Sequence, residues 1–196
     1  MSDALYLNLW FPSFDPEEMV PRTLSVLRQF PFSAADPGVK YVAIQPVDWA
    51  EPTVLERRLV PPISPEELPE VIGEFAESDY AFVLESYWDL WVPDERAEWT
   101  ERPQKIELIT RGIEFEQGEF RQEGHIQIEF GLDFPFLYEE RKLAAPDEER
   151  VKSNVGKLVE FTHKLEKNCN LRGRVLWSES DENLAQKLIA RLQRVQ

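Results

Sequence analysis

The sequence is short of the residues that most enzyme motifs are built from. Its 196 residues include eight glycines, two histidines and one cysteine. None of the glycines falls in a GxGxxG or GxxxxGK[ST] array, so the loops that cradle phosphates are excluded. A GxSxG elbow and an HExxH helix are absent as well. Cys169 is alone, which rules out an intramolecular disulfide and a CxxC metal knuckle. It closes an apolar helical stripe and reads as a small buried hydrophobe; near a helix C-terminus the dipole disfavours a thiolate. His125 and Glu129 share a strand face but stand about 13 Å apart at roughly 3.3 Å per residue, too far to hold one ion. His163 has Lys164 and Lys167 beside it, which repel a cation. No metal, cofactor or catalytic residue is expected.

Long apolar runs are lacking too. None reaches the roughly 20 residues that cross a bilayer, so no membrane association is expected. The Met1-Ser2-Asp3-Ala4 start has neither the basic region nor the apolar stretch of a signal peptide, and the expected compartment is the cytoplasm. Positive charge is scarce: 22 Lys and Arg face 37 Asp and Glu, a net of −15. Residues 1–93 hold 16 of the acidic and 5 of the basic groups, whereas from Arg150 onward 10 basic groups outnumber 5 acidic ones. An acidic surface repels phosphate backbones, so nucleic acid is not an expected partner and a basic protein is. The oligomeric state has no signature in the sequence.

What is present suffices for a core. Hydrophobic residues make up 42% of the chain and aromatic ones 12%, too much large apolar surface for a disordered chain. The period-two run from Leu5 to Phe11 predicts a strand. Asp15-Pro16-Glu17-Glu18 then predicts a helix start, with a capping residue, a proline suited to the first turn and acidic groups against the dipole. That helix runs to about Phe30, and Pro37-Gly38 turns the chain into a strand over 39–47. The order then repeats: a weaker strand over 54–60, a helix start at Ile63-Ser64-Pro65-Glu66-Glu67-Leu68, and a strand over 80–92. Tyr41-Val42-Ala43-Ile44 is echoed by Tyr80-Ala81-Phe82-Val83.

Two β-α-β units in succession, over 1–93, resemble the βαββαβ arrangement of ferredoxin-like folds, with two helices on one face of an antiparallel sheet. The expected fold class is thus α+β with a ferredoxin-like first half. A charged connector over 93–103 leads to a second half, 104–196, of hairpin, helix, strand and helix around the shared antiparallel sheet, all in a single domain over 1–196. The hairpin is expected from strands over 105–115 and 119–130 turning at Gln117-Gly118. Residues 131–146 read as irregular. Asp147 is expected to cap a long helix with a buried stripe through Val151, Val155, Leu158, Thr162, Leu165 and Cys169. A short strand over 172–177 follows, and then a helix capped around Ser178–Asp181 with Leu184, Leu188, Leu192 and Val195 inward. Such a fold serves many purposes and implies none.

The stretch Glu85-Ser86-Tyr87-Trp88-Asp89-Leu90-Trp91 holds the candidate binding residues. In a strand, Glu85, Tyr87, Asp89 and Trp91 share one face, with Trp88 and Leu90 on the other. Two carboxylates among aromatic rings suit a cationic or sugar-like ligand. The plainer alternative is that Tyr87 and Trp91 simply cover the sheet. Glu107, Glu114, Glu116, Glu119, Glu123 and Glu129 crowd the hairpin and read as the polar face of a solvated sheet; the alternative is a carboxylate-rich site for a divalent ion. Trp99, in the charged connector, is expected to mark a contact surface or the lid of a cavity. Together these features predict a non-catalytic protein-binding protein; the alternative is a small-ligand-binding protein or enzyme working through the Glu85–Trp91 face.

Overall fold

The computed structural model of the protein describes residues 3–138, 143–179 and 184–193. The period-two segments form strands β1 (Ala4–Trp10), β2 (Val39–Pro46), β3 (Leu55–Ile63), β4 (Tyr80–Pro93), β5 (Trp99–Arg111), β6 (Ile126–Leu132) and β7 (Gly173–Ser178). They make one seven-stranded antiparallel sheet in the order β3-β2-β4-β5-β6-β1-β7. The helices are α1 (Pro16–Leu27), α2 (Leu68–Ile72), α3 (Phe120–Glu123), α4 (Phe134–Leu137), α5 (Ala145–Asn168) and α6 (Leu184–Gln193). The chain is therefore α+β, and none of the described helices is long and apolar enough to cross a membrane.

Strand alternation divides the sheet into a dry face and an open one. Leu5, Leu7 and Leu9 are buried, as are Phe82, Leu84, Trp88, Leu90 and Val92 at every second position of β4. Side chains of α1, α2, α5 and α6, among them Met19, Leu27, Leu68, Phe161 and Leu188, join these strand residues in one core. The two repeated helix starts lie on the same side: Thr23 of α1 meets Thr110 of β5 at 2.7 Å, and Arg28 pairs with Glu66 at 3.1 Å. Their local chemistry is indeed shared. Glu18 Oε2 accepts the Asp15 N–H at 3.3 Å, and Glu67 Oε2 accepts the Ser64 N–H at 2.8 Å. At the centre Trp88 packs its rings 5.1 Å from Phe130 and 5.8 Å from both Phe30 and Phe136.

Several expectations need correction. The four strands of the first half do not lie side by side as a ferredoxin-like unit has them: β3, β2 and β4 are neighbours, but β5 and β6 come between β4 and β1. Local alternation specifies which side chains point inward, not which strand is the partner. The charged connector is the hairpin. β4 pairs with β5 from Ala81↔Arg111 to Pro93↔Trp99, and Asp94 Oδ1 accepts the N–H groups of Arg96 and Glu98 in the turn. Pro103 is tolerated because β6 pairs only with Glu107 to Thr110, which leaves the outer edge of β5 free at that point.

The expected turn at Gln117-Gly118 belongs instead to a coiled connection. Positive φ at Glu116, Gln117 and Gly118 bends the chain before α3, so residues 119–125 are not strand. Trp99 is 7% exposed, packed with Tyr138 and Val151 rather than lying on a surface. Phe134–Leu137 is helical, and α5 begins before Asp147, whose carboxylate pairs with Arg150 at 2.7 Å. Cys169 is buried, with its thiol on the Ser25 carbonyl at 3.3 Å. Leu184 and Leu188 point inward; the expected Ser180–Asp181 part of the cap and Val195 lie outside the described residues.

Candidate functional site

The open face is where strand register becomes chemistry. On it, Trp177 of β7 opposes Tyr6 of β1, Tyr6 opposes Glu129 of β6, Glu129 opposes Glu107 of β5, and Glu107 opposes Glu85 of β4. Glu85 in turn opposes Tyr41 of β2, and Tyr41 opposes Arg58 of β3. One cross-strand row thus spans all seven strands, with three carboxylates in succession at its middle and a tyrosine on either side. Directly opposed residues have Cα atoms about 4.5–5.5 Å apart, and like charges so placed destabilise a sheet. From Tyr6 to Tyr41 the row covers four strand spacings, about 19 Å.

Each end of the row is held by stacking. The Tyr6 and Trp177 rings stack at 4.6 Å, and the Arg58 guanidinium lies 5.8 Å from the Tyr41 ring. In the middle, Lys105 Nζ reaches Glu85 at 3.2 Å and Glu107 at 4.0 Å, one half-exposed cation against three carboxylates. Burial raises the Glu107 carboxyl above its ordinary range; Lys105 opposes the rise, while Glu129 and Glu85 add to it. Burial opposes the ammonium of Lys105, but its contacts with Glu85 and Glu107 win and raise it. The phenols of Tyr6 and Tyr41 are both raised, by burial first and then by neighbouring carboxylates. Every titratable group whose shift is resolved along this row moves toward holding a proton. Among the described residues the three carboxylates of the row outnumber the one cation that pairs with them.

The connection over 112–125 folds over one end of the open face and covers a polar network. Arg111, 3% exposed, donates from Nε to Glu119 at 2.5 Å and from Nη2 to Gln127 at 2.9 Å. Gln127 donates from Nε2 to Asn8 at 3.0 Å and to Glu123 at 2.7 Å. Trp49 closes the network, with its indole N–H on Glu119 and its ring 5.8 Å from the Arg111 guanidinium. These carboxylates are committed to holding the cover in place. Among the described residues no group of three or more His, Cys, Asp and Glu is arranged to hold a metal.

The four residues singled out from the sequence are not gathered into one site. Glu85 belongs to the carboxylate row. Tyr87 lies under Lys40, whose Nζ is 4.8 Å from the ring centroid. Asp89 accepts the Ser33 hydroxyl at 2.7 Å and the Ala34 N–H at 3.0 Å, tying the segment after α1 to β4 beyond the end of its pairing with β2. Trp91 packs on the Trp99 cluster, with the Arg150 guanidinium 5.2 Å from its ring. The residues that do accompany Glu85 are Glu107, Glu129, Lys105, Tyr6 and Tyr41. Composition flags the hairpin glutamates, but their alignment needs the pairing of β4, β5 and β6, and no single segment holds that information. Compared with family models, curated proteins and solved structures, the chain matches none.

Proposed function

We propose that this chain is a non-catalytic binding protein that receives a basic protein partner on the open face of its sheet. The observation that supports this reading is the run Glu129, Glu107 and Glu85 on three adjacent strands, which among the described residues has ion pairs to Lys105 only. Such a row costs stability in the free protein, and a partner presenting Lys or Arg side chains relieves that cost on docking. At about 19 Å between its flanking tyrosines, the row is longer than a small cation and suits a macromolecular surface. Tyr6 and Tyr41 add rigid ring surface of the kind enriched in interfaces.

The test is capture of partners from native lysate on the immobilised chain, beside a variant with Glu85→Gln, Glu107→Gln and Glu129→Gln. The parent chain should retain a basic protein that elutes as salt rises, and the variant should not. Capture of nothing at any salt concentration, or equal capture by both baits, would refute the proposal. Glu107, raised above the ordinary carboxyl range by burial and directly opposed to Glu85, supports a second reading, in which this carboxylate pair exchanges a proton with a small ligand. Tight saturation of the row by a polyamine, with no protein retained, would favour that reading instead.

A further inference from the structure

Away from the carboxylate row, a half-open cleft of about 240 Å³ lies between Trp10, Phe11, Phe120, His125, Arg172 and Gly173. His125 is 7% exposed and forms part of its wall. The imidazole is clamped: Phe14 and Phe120 each stack on it at 4.6 Å, with interplanar angles of 13° and 11°. Its Nδ1 accepts the Phe11 N–H at 3.0 Å. With Nδ1 occupied as an acceptor, the neutral ring carries its proton on Nε2. Both ring faces are covered, so the imidazole can offer the cleft only its free edge, and Nε2–H has no protein acceptor among the described residues. Burial and the positive charge of Arg172 hold His125 down at about 4, against a smaller opposing effect of Glu18, so the ring is a neutral donor at pH 7.

Arg172 sits where β7 begins, held by its N–H to the Trp10 carbonyl at 2.8 Å. Its guanidinium makes no ion pair among the described residues, while the neighbouring Arg174 pairs with Glu166 at 2.8 Å. On a chain of net charge −15, an unpaired arginine beside a clamped imidazole donor and aromatic walls is a specific combination. Trp10 is fixed by its own indole N–H on the Phe120 carbonyl at 2.9 Å, so the wall is formed before any ligand arrives.

We propose that this cleft binds a compact planar carboxylate, a single aromatic or heteroaromatic ring bearing one carboxylate group. The ring lies among Trp10, Phe11 and Phe120, and the carboxylate accepts from His125 Nε2–H and faces Arg172. A volume of about 240 Å³ matches a single ring, below the range of about 300 to 1,000 Å³ of sites for drug-sized molecules. The site shares no residue with the carboxylate row and stands or falls separately from it.

Sodium benzoate is the probe, followed by NMR of the Trp10 indole N–H and the His125 ring protons in the full chain. Benzoate should shift both sets of signals, with a Kd of the order of 1 mM. It should also raise the His125 pKa, because the bound carboxylate is a new negative neighbour added to Glu18 and opposed to Arg172. Arg172→Gln, at an exposed position, should leave the fold unchanged and weaken benzoate at least about five-fold. Inorganic phosphate at the same concentration should shift neither set of signals. Absence of benzoate shifts, unchanged affinity in Arg172→Gln, or an equal response to phosphate would each overturn the assignment.

Discussion

Replacing Glu107 by Gln should stabilise the protein and weaken its hold on the basic partner. Glu107 stands between Glu85 and Glu129, directly opposed to both. Each like-charge opposition costs about 0.2–1 kcal/mol. Against this, Glu107→Gln loses the 4.0 Å approach of Lys105, whose side chain is 51% exposed, so that pair is worth little. The expected net gain is about 0.5–1 kcal/mol at pH 7, which for a chain of this length raises Tm by about 1–4 °C.

The pH dependence makes the test sharper. The folded Glu107 carboxyl is raised above its unfolded value, so its favourable contribution is complete below the unfolded pKa, about 4.3, and is lost as pH rises through the folded pKa. The advantage of glutamine should therefore be full at pH 7 and disappear near pH 4, where Glu107 is itself uncharged. Urea unfolding followed by tryptophan fluorescence at both pH values measures it. A variant no more stable than the parent at pH 7, or an equal gain at pH 4, would show that the row is not electrostatically strained. The case for a surface retained for binding would lose its basis.

Three further outcomes are expected. Trp88→Ala should cost about 3–5 kcal/mol by opening a cavity under Phe30, Phe130 and Phe136, read from the urea midpoint; Trp88→Phe should cost much less, because Trp88 Nε1 has no hydrogen-bond partner among the described residues to lose. Asn154→Ala should cost about 2–3 kcal/mol, since its side chain bonds Trp91 N–H at 2.9 Å, Trp91 O at 2.7 Å and Pro135 O at 2.9 Å; proteolysis at the tip of the β4–β5 hairpin should quicken with it. His125, depressed to about 4 against an unfolded value near 6.5, stabilises the fold fully above pH 6.5 and loses up to about 3 kcal/mol as pH falls through 4. His125→Gln should remove that component, and identical pH-stability curves for parent and variant would contradict it.

Much of the local structure was legible in the sequence because it depends on neighbours along the chain. Alternation marked Leu5–Phe11 and Tyr80–Val92 as strands and set Trp88 and Leu90 on the face opposite Glu85 and Tyr87, since a strand turns every second residue to the same face. The Asp15-Pro16 and Ser64-Pro65 starts identified two helix beginnings, because a cap and a reaching glutamate are contacts within four residues. Alternation misled where coil imitates it: Glu119-Phe120-Arg121 has the period of a strand, but the backbone at Glu116–Gly118 coils the chain into α3. Trp99 and Pro103 read as a connector because charge and proline mark loops, and β5 tolerates both only along its free edge.

Partner choice belonged to the tertiary structure alone. Placing β5 and β6 between β4 and β1 is a matter of register between segments dozens of residues apart, decided by how Leu84, Leu108, Ile128 and Leu7 fill one dry layer. Once those apolar residues are in register on one face, the residues between them align on the other. That is how Glu85, Glu107 and Glu129 meet, and how His125 is brought from a strand end to lie between Phe14 and Phe120. The amino-acid order determines the facing of each side chain, whereas its company across the sheet follows from long-range packing.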